Sequence, residues 1–176
     1  MTKRSERWHY IKTGLRRLRI AMNGYRRDSR SAHFLFLSAA ILETSHRIPN
    51  LDYDILMKLT LQLTKSMEEC EKLYRLMCFN VFAHNRDDHS KNFSYIYRDE
   101  EKRWVLSPAY DLTYSNSIGG EHATTVNGNG ADPGMDDLLS VAKKIGLGMT
   151  KARKTAAEIQ ECVQERLRDY LSDRIE

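Results

Sequence analysis

A chain of 176 residues with 41% hydrophobic content and a formal charge of +4 can bury one core, and it offers too little sequence for two large domains. No apolar run approaches the roughly 20 residues that span a bilayer, and the arginine-rich start lacks the apolar stretch of a secretory signal, so a cytoplasmic protein with no membrane contact is expected. The three cysteines are odd in number and have no Cys-x-x-Cys spacing, which excludes a disulfide framework and gives no indication of structural zinc.

Residues 1–30 hold ten Lys or Arg against two acids. Within them Trp8, Ile11, Leu15, Leu18 and Met22 recur at helical spacing. The pattern predicts an amphipathic helix that packs its apolar stripe and leaves its Arg side chains in water, in preference to a phosphate-binding arm. A division into a basic arm, 1–24, and one domain, 25–176, follows. Ser31 to Ser45 contains Phe34, Leu35, Leu37, Ala40, Ile41 and Leu42, an apolar density that predicts a buried helix rather than a strand. Leu51 to Thr64 and Met67 to Phe82 are helical by the same logic. Ser66 is placed to cap the latter, with Glu68 and Glu69 favoured in its first turn, and Cys70 and Cys78 share its buried face.

The pattern then changes. Phe93 to Tyr97 and Arg103 to Leu106 are aromatic and β-branched runs around the charged turn Asp99 to Lys102, which predicts a hairpin. Tyr114 to Asp132 is polar and glycine-rich and reads as a flexible connection. Within it Asn127-Gly128-Asn129-Gly130 has no neighbouring Lys, so it reads as a mobile loop with turn chemistry and not as a phosphate cradle. Met135 to Ile145 and Lys151 to Leu171 are two further helices, separated at Gly146-Leu147-Gly148. Their arrangement from Leu138 to Lys154 resembles a helix-turn-helix only weakly. Glu158, Glu161, Glu165 and Asp169 suit a solvated face better than a DNA groove, so direct DNA binding is not expected.

Chemistry concentrates at Asn85-Arg86-Asp87-Asp88-His89-Ser90-Lys91-Asn92 and at Ala109-Tyr110-Asp111-Leu112, the two ends of the predicted hairpin. An Asp, an Asn five positions later and a second Asp beyond a hairpin is the order in which kinases place the residue that positions the attacking hydroxyl and two magnesium ligands. Magnesium requires hard oxygen ligands, which two carboxylates and an amide supply. Asp87 takes the first role and Asn92 and Asp111 the metal roles. The resemblance to kinase loops implies that His89 and Lys91 fall near the phosphates, as catalytic and nucleotide-contacting groups. Other readings are poorer: His84 and His89 lack the one-turn spacing of a helical metal motif, and Ser90 has no glycine-flanked elbow.

The loop Asp-Asp-His-Ser-Lys-Asn, the run Ser107-Pro108-Ala109-Tyr110-Asp111-Leu112 and the preceding helix Leu73 to Phe82 together resemble the HipA-like Ser/Thr kinases, toxins of bacterial toxin–antitoxin modules. The resemblance runs from about Gly24 to the C-terminus and is most specific between Leu73 and Thr113. It implies a mainly α fold with a small β-hairpin, the helical C-lobe of an atypical protein-kinase-like fold. The implied activity is transfer of phosphate from ATP, with Mg2+, to a protein Ser or Thr. Aminoacyl-tRNA synthetases are substrates of some members, and a DNA-binding antitoxin is the expected partner. The family's N-lobe, with its phosphate-covering loop and ATP-contacting Lys, has no counterpart in this sequence. A truncated protein inactive alone is therefore expected, completed by a separate N-lobe-like chain. The alternative is a non-catalytic remnant or binding module that contacts an antitoxin or another protein.

Overall fold

The computed structural model of the protein describes residues 34–37, 51–115 and 120–172. The basic segment 1–24, with its predicted helix, lies outside the described residues. Among the described residues, four helices pack around a shared core that a small antiparallel sheet completes.

The helical layer begins at Asp52. Its carboxylate accepts the Asp54 N–H at 2.8 Å and caps α1, Tyr53–Thr64, satisfying a donor that the first turn would otherwise leave open. Lys65 ends α1 in a left-handed conformation, φ 57°. Ser66 then caps α2, Met67–Phe82, by accepting the Glu69 N–H at 3.4 Å, as its position in the sequence predicts. The buried residues of α2 recur at helical spacing, with Cys70, Leu73, Tyr74, Met77, Cys78 and Val81 on one face, so both cysteines are indeed interior.

α3, Met135–Ile145, ends at Gly146 with φ 86°. There the Leu147 N–H reaches Ala142 O at 2.9 Å and the Gly146 N–H reaches Lys143 O at 3.2 Å, a glycine-dependent cap that turns the chain sharply. α4, Met149–Ser172, returns against α2 and α3. Ala152 and Ala156 are buried at the start of α4, and the Tyr74 hydroxyl donates to Ala152 O at 3.3 Å, so this first turn lies against α2.

The sheet has the order β1, β3, β4, with β1 at Phe34–Leu37, β3 at Ser94–Arg98 and β4 at Arg103–Leu106. β3 and β4 form the predicted hairpin, with Tyr95 opposite Leu106 and Arg98 opposite Arg103. β1 is a correction to the sequence reading. Phe34 to Leu37 lie within the apolar run expected to be a buried helix, yet they pair antiparallel with β3, Phe34 opposite Tyr97 and Leu37 opposite Ser94. A continuous apolar run does not distinguish the two states, and pairing with an edge of the hairpin decided it. A second, two-stranded parallel sheet joins β2, Leu51–Asp52, to β5, Thr124–Thr125.

Two buried polar contacts fasten the hairpin to the helices. Thr60 on α1 meets the Tyr95 hydroxyl at 2.7 Å. Glu69 on α2 is fully buried; one carboxylate oxygen accepts the Leu106 N–H at 2.8 Å and the other accepts Lys72 Nζ at 2.8 Å. A buried carboxylate is tolerable only when so provided with donors.

The glycine-rich segment expected to be mobile is instead a tight turn. Val126 and Asn129 exchange both backbone hydrogen bonds at 2.9 Å around Asn127 and Gly128, which have φ of 56° and 84°. Positive φ at both central residues is what a type I′ turn requires, and Asn-Gly is its preferred pair. The turn is tied down further: the Gly128 N–H donates to Asp52 at 2.7 Å and Lys144 Nζ donates to Asn127 at 2.6 Å. Residues 122–126 beside it are likewise no loose connection, since His122, Thr124, Thr125 and Val126 are buried, while residues 116–119 of the predicted connection lie outside the described residues.

Candidate active site

The chain leaves α2 through a left-handed residue, His84, φ 50°, which lets Asn85 fold back on Asn80. The Asn85 N–H reaches Asn80 O at 2.9 Å, and the Asn85 amide donates to Asn80 Oδ1 at 3.0 Å. Residues 85 to 88 then run beside two other segments. Asn85 pairs with Ser115, and Arg86 O accepts the Ala123 N–H at 2.9 Å.

Two adjacent carboxylates separate here. Asp88 is buried, with one oxygen accepting the Thr124 N–H at 3.0 Å and the other within reach of the Tyr53 hydroxyl at 2.9 Å and His122 Nδ1 at 3.3 Å. Tyr53 in turn accepts the Asn80 amide at 2.9 Å. Burial, and then the Asp88 carboxylate beside it, push the Tyr53 phenol well above its ordinary range, so it stays a neutral donor. The result is a continuous buried network, Asn85, Asn80, Tyr53, Asp88, His122, holding the loop from beneath.

Asp87 faces solvent, and His89 Nε2 lies 2.7 Å from its Oδ1. The loop is closed by local bonds: the His89 N–H reaches Asp87 O at 2.9 Å, the Asn92 N–H reaches His89 O at 2.8 Å, and the Asn92 side-chain amide donates to Asp87 O at 2.9 Å. A short 3-10 turn, Ser90–Asn92, carries Lys91 and Asn92 into β3. At the far end of the hairpin the Ser107 N–H extends the ladder to Ser94 O at 2.9 Å, and the two serine hydroxyls meet at 2.7 Å. The Tyr110 hydroxyl then donates to Lys91 O at 2.6 Å. This contact sets Asp111, which is exposed and left-handed at φ 55°, beside the loop that carries Asn92.

The hairpin therefore returns the segment of Asp111 to that of Asp87, His89, Lys91 and Asn92, as the spacing predicts. Sequence reasoning missed the buried partners Tyr53, Asn80, Asp88, His122 and Thr124. One signal was available: Asn80 falls on the apolar face of α2 beside Met77 and Val81, where an amide requires a buried partner. A separate concavity of about 1190 Å3 lies between α2, α4 and the segment after β4, walled mainly by Leu76, Phe79, Phe82, Leu112 and Ile159. None of the five candidate residues lines it, and its walls are mainly apolar, with Lys72, Arg75 and Arg166 among the lining residues.

The family described as HipA-like C-terminal domain matches residues 16–167. No curated protein matches the chain.

Proposed function

We propose, from the premise that the chain belongs to the HipA-like C-terminal domain family, that it is the catalytic lobe of a Ser/Thr protein kinase acting as the toxin of a toxin–antitoxin module. The observation that carries this reading is the orientation of Asn92. Its amide nitrogen is spent on Asp87 O at 2.9 Å, which leaves its carbonyl oxygen as the atom that can serve a metal, on the loop that Tyr110 ties to the segment of Asp111.

One amide oxygen and one carboxylate, from Asn92 and Asp111, fit magnesium, which completes its shell with water and phosphate oxygens rather than with an all-protein cage. Among the described residues no three His, Cys, Asp or Glu side chains gather into such a cage. Asn92 and Asp111 would hold the ion, which would supply positive charge to neutralise the phosphates of ATP. Asp87 accepts the hydrogen bond of the attacking hydroxyl and aims it. His89, 2.7 Å from Asp87, fixes the carboxylate, and Lys91 lends positive charge to the phosphate side of the loop. The substrate is a protein Ser or Thr, on an aminoacyl-tRNA synthetase for some family members. The expected partners are a DNA-binding antitoxin and an N-lobe that closes over the nucleotide.

Calorimetry with millimolar ATP tests the metal assignment: binding should require magnesium and be lost in Asp111→Ala. Tight binding indifferent to that substitution sinks the site. With an N-lobe of the family joined to the chain, transfer to Ser or Thr should fall about 10²- to 10⁴-fold in Asp87→Asn. A folded, nucleotide-loaded protein that transfers nothing above that control is a binding module.

A further inference from the structure

Arg86 stands between the loop and a second cavity. Its main chain is committed, through the bond from Ala123 N–H to Arg86 O at 2.9 Å. Its guanidinium is not: Nε is buried and has no hydrogen-bond partner. Nη1 lies close to the backbone at Gly120, only 3.7 Å from where a Cβ would project. The side chain borders a polar cavity of about 300 Å3 that is also lined by His84, His122, Gln160, Gln164 and Asp132. Asp132 is the one carboxylate among the residues lining it.

A buried, unpaired guanidinium nitrogen costs stability, and among the described residues no hydrogen bond offsets it. Uncompensated costs of this kind collect where a ligand supplies the missing partner. The chemistry of that ligand follows from the donors. A planar guanidinium fork matches two oxygens of a tetrahedral oxyanion, and the amides of Gln160 and Gln164 on α4, which also line the cavity, are further donors. His122 is held in place by Asp88 on its Nδ1 side, so the cavity shares a wall with the network under the loop.

We propose that this cavity is a binding site for a phosphate-monoester oxyanion, gripped by Arg86. The site does not involve Asp87, Asn92 or Asp111 and stands whether or not those residues catalyse transfer. Occupied, it would join Arg86 on the loop to Gln160 and Gln164 on α4, and so stiffen the loop from the side opposite Asp87.

The test is a titration of the full chain with inorganic phosphate and with O-phosphoserine, followed through the Arg86 Nε–H and His122 ring resonances. Saturation in the millimolar range is expected. Arg86→Gln should weaken it by about tenfold or more, and Arg86→Lys should also weaken it, since it keeps the charge and loses the fork. Asn92→Ala should leave phosphate affinity unchanged; a loss there would move the anion to the catalytic loop and overturn the proposal. Because Nε of the guanidinium has no partner among the described residues, Arg86→Gln should melt no lower than the parent. An unfolded or strongly destabilised variant makes Arg86 structural and also overturns the proposal, as does binding that ignores Arg86→Gln. The source of the phosphate is read by repeating the titration before and after phosphatase treatment. Saturation only after treatment identifies a phosphorylated side chain of this chain as the occupant, and equal saturation identifies a free ester.

Discussion

Replacing Tyr53 by Phe removes one oxygen from the centre of the buried network and leaves the ring in place. That oxygen donates to Asp88 at 2.9 Å and accepts from the Asn80 amide at 2.9 Å. A hydrogen bond to a carboxylate contributes about 1.5–3 kcal/mol, and stranding a buried amide donor costs about 1–3 kcal/mol. The two losses overlap, because Asn80 and Asp88 can relax toward each other, and a total of about 2–4 kcal/mol is expected. The ring packing should survive, since Phe retains the edge contact to Phe93, whose ring centroid is 5.6 Å away. In urea, with a slope of about 2 kcal/mol/M for a domain of this kind, the midpoint should fall by about 1–2 M at unchanged slope. Amide exchange should accelerate most between residues 85 and 92, because the lost bonds hold that loop and not the helices. A midpoint shift below about 0.3 M would refute the claim that Tyr53 supports the loop through Asp88, since no buried charged bond is so weak.

Stability should fall as pH rises above about 9. Burial pushes the Cys70 thiol up to about 11 and the Cys78 thiol up to about 12, so above the ordinary value of 9.0 the unfolded chain releases protons that the folded one retains. Urea midpoints measured across this range should lose part of their slope in Cys78→Ala, and an unchanged slope would count against the assignment. A thiol reagent at pH 8 should modify only exposed Cys162 in the native protein, with no labelling in Cys162→Ser and all three sites reacting in denaturant. Glu69→Ala strands the Leu106 N–H and should cost about 1–3 kcal/mol by urea titration, with exchange rising first in β4; a neutral result would contradict the clasp.

Local signals were legible wherever the structure is local. Ser66 and the two glutamates after it mark the start of α2 because capping is decided within one turn. The hairpin was legible because alternation and a charged turn sit next to each other, and Gly146 marks the end of α3 for the same kind of reason. Phe34 to Leu37 were not legible as β1, since their state depends on the free edge of β3, some 60 residues away in sequence. The Asn127-Gly128 turn was recognised as turn chemistry while its rigidity was missed: the bonds that fix it come from Asp52 and Lys144, which no local pattern connects to it.

The same limit applies at Asp87 and Asp88, which no propensity can tell apart. In an extended stretch neighbouring side chains point to opposite faces, so of two consecutive carboxylates one is turned toward the core and the other toward water. Which one is decided by Tyr53, His122 and Thr124, all at least 34 positions away in the chain. That arrangement gives each carboxylate a distinct physical task. Asp88, with donors on both oxygens, cannot swing and serves as the fixed point of the loop. Asp87 is exposed, and among the described residues only His89 reaches its side chain. Exchanging the two tasks by a register slip of one residue would bury a carboxylate without its donors and expose the anchor, so the buried network specifies the register of the loop as well as its stability.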